Sequence, residues 1–256
     1  IDLSHNIALT EITLWNNQLT ELDVSKNIAL TYLDCEENQI SSLDLSKNTV
    51  LGSLYCGVNL LTSLDLSNNT SLEILYCGLN LLSELDVSKN KALIELDCYF
   101  NELTTIDVSQ NTLLNALVVW ANQLTNLDVS KNLALTKLFI EYNNISNLDL
   151  SQNTELIQIE LHQNPLGELN LSNNTKLKII GADGIGLTNL DLGGLNDIEA
   201  LWLPNNNFES LNLSGIENLN VKRETNVTCI RFADDIFIFG LVNKTILEKI
   251  EINLVE

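Results

Sequence analysis

The chain has 256 residues, 45% of them hydrophobic, and a formal net charge of −21. That charge repels phosphate backbones and anionic lipid, which argues against nucleic acid and membrane surfaces as partners. No apolar run approaches the ~20 residues of a membrane-spanning helix, and neither a phosphate-binding glycine loop nor a secretory signal is visible.

In chain order, the first element is a fragment, "IDLSHNIA". There is no methionine, and Ile1 falls inside a repeat, so the sequence reads as a mature or excised piece of a longer protein. From Leu9 the pattern LxxLxCxxNxLxxLDLSxNxx recurs every 21 residues, beginning again at Leu30, Leu51, Leu72, Leu93, Leu114, Leu135, Leu156, Leu177 and Ile198. In each of these ten units LxxLxC has the alternation of a short strand, and the remainder is rich in turn residues. A period of this length predicts a solenoid over 1–218, with a partial unit at 1–8. The unit starting at Leu177 departs from the pattern at Ile185, Gly193, Gly194 and Leu195, so a local distortion is expected there. After Asn218 the repeat stops. Strand-like runs ("TCIRF", "IFIFGLV") and a short helix from Lys244 are expected within a C-terminal cap over 219–256, which would cover the last apolar layer.

The columns of the repeat say more than its rows. One runs Leu14, Cys35, Cys56, Cys77, Cys98, Val119, Ile140, Leu161, Ala182, Leu203. A place that accepts leucine, valine and cysteine alike is a buried apolar place, with cysteine as a small hydrophobe. Parallel thiols in a straight row suit neither a disulfide nor a tetrahedral zinc site. The four cysteines are therefore read as a structural core ladder, with no metal, and Cys229 lies outside it. An asparagine column (Asn17, Asn38, Asn59, Asn80, Asn101, Asn122, Asn143, Asn164, Asn206) is expected to satisfy the backbone where the chain turns inward. A second polar column, from Asp23 through Asp44, Asp65, Asp86, Asp107, Asp128, Asp149 and Asn170 to Asp191 and Asn212, invites a calcium reading. Asparagine substitutes twice, and serine usually follows two places on, so turn capping is preferred.

These columns resemble the leucine-rich-repeat family, in its 21-residue cysteine-ladder form found among internalins and secreted Bacteroidetes proteins. The resemblance covers roughly Ile1 to Asn218. It implies an α/β-type solenoid, a curved right-handed superhelix with one parallel sheet on its concave face and mostly irregular or 3-10 convex segments. Family members serve as adhesins, receptors and scaffolds, which implies an extracellular or cell-surface location.

The third, fifth, seventh and eighth places should face outward from the sheet. All three tryptophans and all five tyrosines fall there: Trp15, Tyr32, Tyr55, Tyr76, Tyr99, Trp120, Tyr142 and Trp202, joined by Phe100, Phe139 and His162. A preference of aromatics for strands explains their presence in the sheet but not their choice of its solvent side. These eleven residues are the candidate binding surface, since exposed aromatic patches mark contact surfaces. Between them stand Glu11, Asp34, Glu36, Glu37, Glu95, Asp97, Glu141, Glu160 and Asp183, with Lys137 the one base. Those acids serve solubility, complement a basic protein patch, or accept hydrogen bonds from sugar hydroxyls.

Catalysis is not expected. His5 lies in the broken first unit. His162 stands near Glu141, Glu160 and Asp183, a set that suits an acid–base cluster or a weak metal site, but no serine or cysteine nucleophile and no second histidine accompanies it on the face. Paired carboxylates run along the face without a distinct pocket, and no cofactor is implied. The expectation is an adhesin-like module that binds a protein through its aromatic and acidic concave sheet. The alternative is a carbohydrate-binding or spacer module of a larger secreted protein, in which Tyr55 and Tyr76 would stack on sugar rings. The wide dispersal of Trp15, Trp120 and Trp202 favours a protein.

Overall fold

The computed structural model describes residues 1–208, 211, 229–232 and 236–239. Ten strands of three residues form one parallel sheet in sequence order. They are β1 (Glu11–Thr13), β2 (Tyr32–Asp34), β3 (Ser53–Tyr55), β4 (Ile74–Tyr76), β5 (Glu95–Asp97), β6 (Ala116–Val118), β7 (Lys137–Phe139), β8 (Gln158–Glu160), β9 (Ile179–Gly181) and β10 (Ala200–Trp202). Each residue pairs with the one a full repeat later, Leu33 with Leu54 and Leu54 with Leu75. The constant repeat length thus stacks every column on itself. Among the described residues, the rest of each repeat is turn and extended chain, with no helix. Two further strands, β11 (Cys229–Phe232) and β12 (Ile236–Phe239), pair antiparallel where the strand-like runs stood. The helix expected from Lys244 lies outside the described residues.

The central residue of each strand points inward, and Leu33, Leu54, Leu75, Leu117 and Leu138 lose all solvent contact. Burial of one such side chain contributes roughly 2–3 kcal/mol. Cys35, Cys56, Cys77 and Cys98 are buried and unbridged, as the column required. Burial pushes the Cys35 thiol up to about 12 and raises the other three well above the ordinary thiol range, so none is a nucleophile at neutral pH.

Polar columns line the turns. Asn59 is representative: its Nδ2 donates to the carbonyls of Cys35, Cys56 and Gly57, and its Oδ1 accepts from the Ile40 amide. A second asparagine column, Asn27 through Asn174, is wholly buried at the outer corner. Asn111 there donates to the Val87 and Asn90 carbonyls of the preceding repeat. Each Oδ1 of this column is buried without a partner. The aspartate column caps turns: Asp107 Oδ1 accepts from the Ser109 amide at 2.8 Å, and the pattern holds at Asp23, Asp44, Asp65, Asp86, Asp128 and Asp149.

In the irregular unit the sheet register holds through β9 and β10. The distortion is confined to the turns. Ile185 and Leu195 are buried where asparagine would stand. The Gly167 amide bonds directly to the Ile185 carbonyl, a backbone contact where the side-chain ladder is interrupted.

The eighth place was not anticipated. In every repeat it takes the left-handed conformation, including Val58 at φ 53 and Phe100 at φ 47. The backbone ladder continues through it: the Val58 amide donates to Gly78 and the Phe100 amide to Trp120. An L-residue held this way costs roughly 1–2 kcal/mol. The bend carries the chain off the sheet and throws the eighth side chain into solvent.

Candidate functional site

The eleven candidate residues all stand on the solvent side of the sheet, half-buried or exposed. Their grouping is the new information. Tyr32, Tyr55 and Tyr76 lie on consecutive strands as a touching row, with ring centroids 5.5 and 4.9 Å apart. Tyr76 Oη donates to Glu95 Oε2 at 2.7 Å, which fixes the end of the row. Burial, with that bond, raises the Tyr76 phenol well above its ordinary range.

A second group follows on the next two repeats. Tyr99 stacks on Trp120 at 4.8 Å and 12°, and Phe100 meets the Trp120 ring edge-on at 4.9 Å. Glycine makes this possible. A Cβ at Gly78 would overlap the Tyr99 ring, which lies across that backbone. Gly57 likewise seats the Glu36 carboxylate, and Gly181 seats Glu160 and His162. Beside the stack, burial pushes Asp97 up to about 6, against a hydrogen bond from the Tyr99 amide. Glu36 is raised by burial and by the charges of Asp34 and Glu37.

The third group forms a depression of about 580 Å³, which the sequence did not reveal. Phe139, Tyr142 and Trp202 wall it, with Gln158 and Pro204, and Glu141, Glu160, His162 and Asp183 supply its polar atoms. His162 Nε2 faces Glu160 Oε2 at 3.0 Å, while its Nδ1 accepts from the Asp183 amide at 2.8 Å. That arrangement selects the Nε2–H tautomer. Burial opposes a charged ring, but the Glu160 hydrogen bond and the Glu160, Glu141 and Asp183 charges outweigh it and raise the pKa. The amide aimed at Nδ1 limits that rise, because a doubly protonated ring would set donor against donor. Glu141 is pushed up to about 7 by burial, and its Oε2 is enclosed with no hydrogen-bond partner.

Trp15 is 54% exposed and stacks on none of the other candidates. The eleven thus divide into a tyrosine row, a stacked cluster, a walled depression and one outlier. Exposed apolar residues absent from the candidate set join the face's edge at the same repeats, namely Val58, Leu60, Leu79 and Leu81. Their eighth and tenth places alternate with inward asparagines, a pattern that would have found them.

Neither a family model nor a curated protein matches the chain. Solved structures do. The functional domain of InlJ from Listeria monocytogenes, which includes a cysteine ladder, is 31% identical over 83% of this chain and 59% of its own, with a TM-score of 0.69. The LRR protein LIC12759 of Leptospira interrogans is 26% identical over 77% of this chain and 55% of its own, at 0.74. YopM from Yersinia enterocolitica shares the fold alone, with 22% identity over 93% of this chain, 49% of its own, and a TM-score of 0.67. The chain thus spans little more than half the length of the first two. Repeat length, ladder and architecture agree, and the chain is a leucine-rich-repeat solenoid of the 21-residue, cysteine-ladder type.

Proposed function

We propose that the chain is an adhesin-like binding module, extracellular or displayed at a cell surface, that receives a protein partner on its concave sheet. The observation that carries this reading is the placement of every tyrosine and tryptophan on the solvent side of the sheet, where core packing does not require them, most of them in touching groups. Large aromatics are the residues that dominate partner hot spots. The likeness to internalin-type solenoids supports a protein-binding role and an extracellular setting.

Ring geometry favours protein over polysaccharide. A sugar platform needs ring faces turned to solvent in a common plane. Tyr55 and Tyr76 instead meet at 66°, and Tyr99 and Trp120 cover one another's faces. A tryptophan-fluorescence titration against basic proteins and soluble polysaccharides tests the reading. A saturable shift with a protein, lost in Trp120→Ala, is the expected result. A shift only with polysaccharide points to the carbohydrate-binding alternative, and silence throughout, with the fold intact, to a spacer.

A further inference from the structure

We propose that the depression beneath Trp202 is an arginine-anchoring subsite, into which a guanidinium side chain of the protein partner inserts. The inference rests on the protein-binding reading above and names the chemistry of the contact. Three features of the cavity carry it. Its aromatic walls, Phe139, Tyr142 and Trp202, offer faces and edges to a flat cation. Its polar atoms come from Glu141, Glu160 and Asp183; Gln158 and His162 already donate to Glu160, and Asn205 and Gln163 to Asp183, so Glu141 is the carboxylate that keeps an oxygen without a donor. Glu141 Oε2 is enclosed and lacks any donor, an arrangement that costs free energy until one arrives.

Arginine fits this better than a bare cation. Among the described residues no group of three or more histidine, cysteine, aspartate or glutamate side chains is disposed to hold a metal ion. A guanidinium supplies several N–H donors in one plane, enough to reach separated carboxylates while stacking on an aromatic wall. The volume of about 580 Å³ exceeds what one ion needs and accommodates a long side chain. Lys137, on the same strand as Phe139, does not line the cavity, and no lysine or arginine of the described residues does.

Proton linkage gives the subsite a signature. The groups facing Glu141 are Glu160 and His162 from the next repeat and Asp183 from the one beyond. With Glu141 free at about 7, a bound guanidinium holds it ionised and expels a proton. Affinity then rises close to tenfold from about pH 6 to about pH 8. Protonation of His162 at the acid end acts in the same direction.

The test uses the full chain carrying Trp15→Phe and Trp120→Phe, so that Trp202 alone reports. It is titrated with hexaarginine and with hexacitrulline, the neutral isostere. Expected are saturable quenching or shift with hexaarginine, affinity at least tenfold weaker for hexacitrulline, and a similar loss in Glu141→Gln. Glu141→Asp should keep part of the binding and its pH dependence, which a merely misfolded cavity would not. Equal affinity for the two peptides, undiminished binding by Glu141→Gln, or no rise with pH overturns the subsite. Any of these leaves the wider face untouched, because that reading is scored by Trp120→Ala against whole proteins. Loss of the Trp120 effect, conversely, removes the face and not the arginine subsite.

Discussion

The outer corner of the solenoid and its sheet face are both lined with acids, and the fold treats them oppositely. At the corner each aspartate accepts hydrogen bonds from the serine two places on, which hold Asp23, Asp44, Asp65, Asp86, Asp107, Asp128 and Asp149 below the usual carboxylate range. On the face, burial lifts Glu36, Asp97 and Glu141 above it. The same residue type is settled where the chain's donors outweigh burial and left strained where burial outweighs them, as at Asp97, whose one bond from the Tyr99 amide does not offset it. An acid's place in the repeat, more than its charge, separates a structural group from one available to a partner.

Several substitutions break or sharpen that contrast, and the first has the largest effect. Asn111→Leu strips two donors from the corner and leaves the Val87 and Asn90 carbonyls with only the turn bonds from the Asn90 and Leu93 amides, so a urea-melt loss of about 2–3 kcal/mol is expected for the two bonds. Glu141→Gln on the face should leave the same melt nearly unchanged. Equal losses would erase the distinction between the two regions.

Gly78→Ala comes next. Its methyl collides with the Tyr99 ring and parts it from Trp120. Loss of the near-ultraviolet dichroism of that pair is expected, with destabilisation of about 1–2 kcal/mol from overpacking.

The pH dependence separates the regions by sign. Asp97 folded titrates near 6 against an ordinary 3.8, so the native state binds the extra proton between those values. Its contribution to stability is therefore full below the lower value and falls as pH rises through about 6, and Glu141 extends the fall to about 7. The corner aspartates do the reverse: their stabilisation is present above their ordinary 3.8 and is lost as pH falls through their lowered values. Asp97→Asn at pH 8 should stabilise the fold by about 1 kcal/mol, after allowance for the exposed part of the group. Asp107→Asn should weaken the fold on the acid side of neutrality less than Asp107→Ala does, since the amide oxygen still accepts from Ser109. The smallest change is Val58→Gly. Relief of a β-branched residue from a left-handed turn should raise stability by about 0.5–1 kcal/mol on thermal melting, against the entropy glycine adds to the unfolded chain.

The architecture was legible because each column is sampled ten times. A place filled by Leu14, Cys35, Val119 and Ala182 declares itself apolar, and Asp107 two places before Ser109 declares a turn. Residue types that vary within a column left no such mark. The left-handed eighth place holds Asn16, Glu37, Val58 and Phe100 because ladder bonds from the next repeat, not the local residue, impose it. Gly78 and Gly181 were visible as glycines, but what they make room for lies 21 residues on, or overhead in the preceding repeat. The groupings on the face depend on side-chain direction across strands, which no single column encodes. The acids around His162 were legible as neighbours from their columns, but the depression was not, since its walls Phe139 and Trp202 come from repeats three apart.

The asparagines of the corner donate backwards, Asn48 to Val24 and Asn27, Asn69 to Leu45 and Asn48. Each turn of the spiral is thus sealed by the turn synthesised after it. A ribosome releasing the chain from its amino end delivers the seals in the order they are needed. Tension applied at the carboxyl end removes them in reverse, freeing one 21-residue turn per event, roughly 70 Å of extended chain.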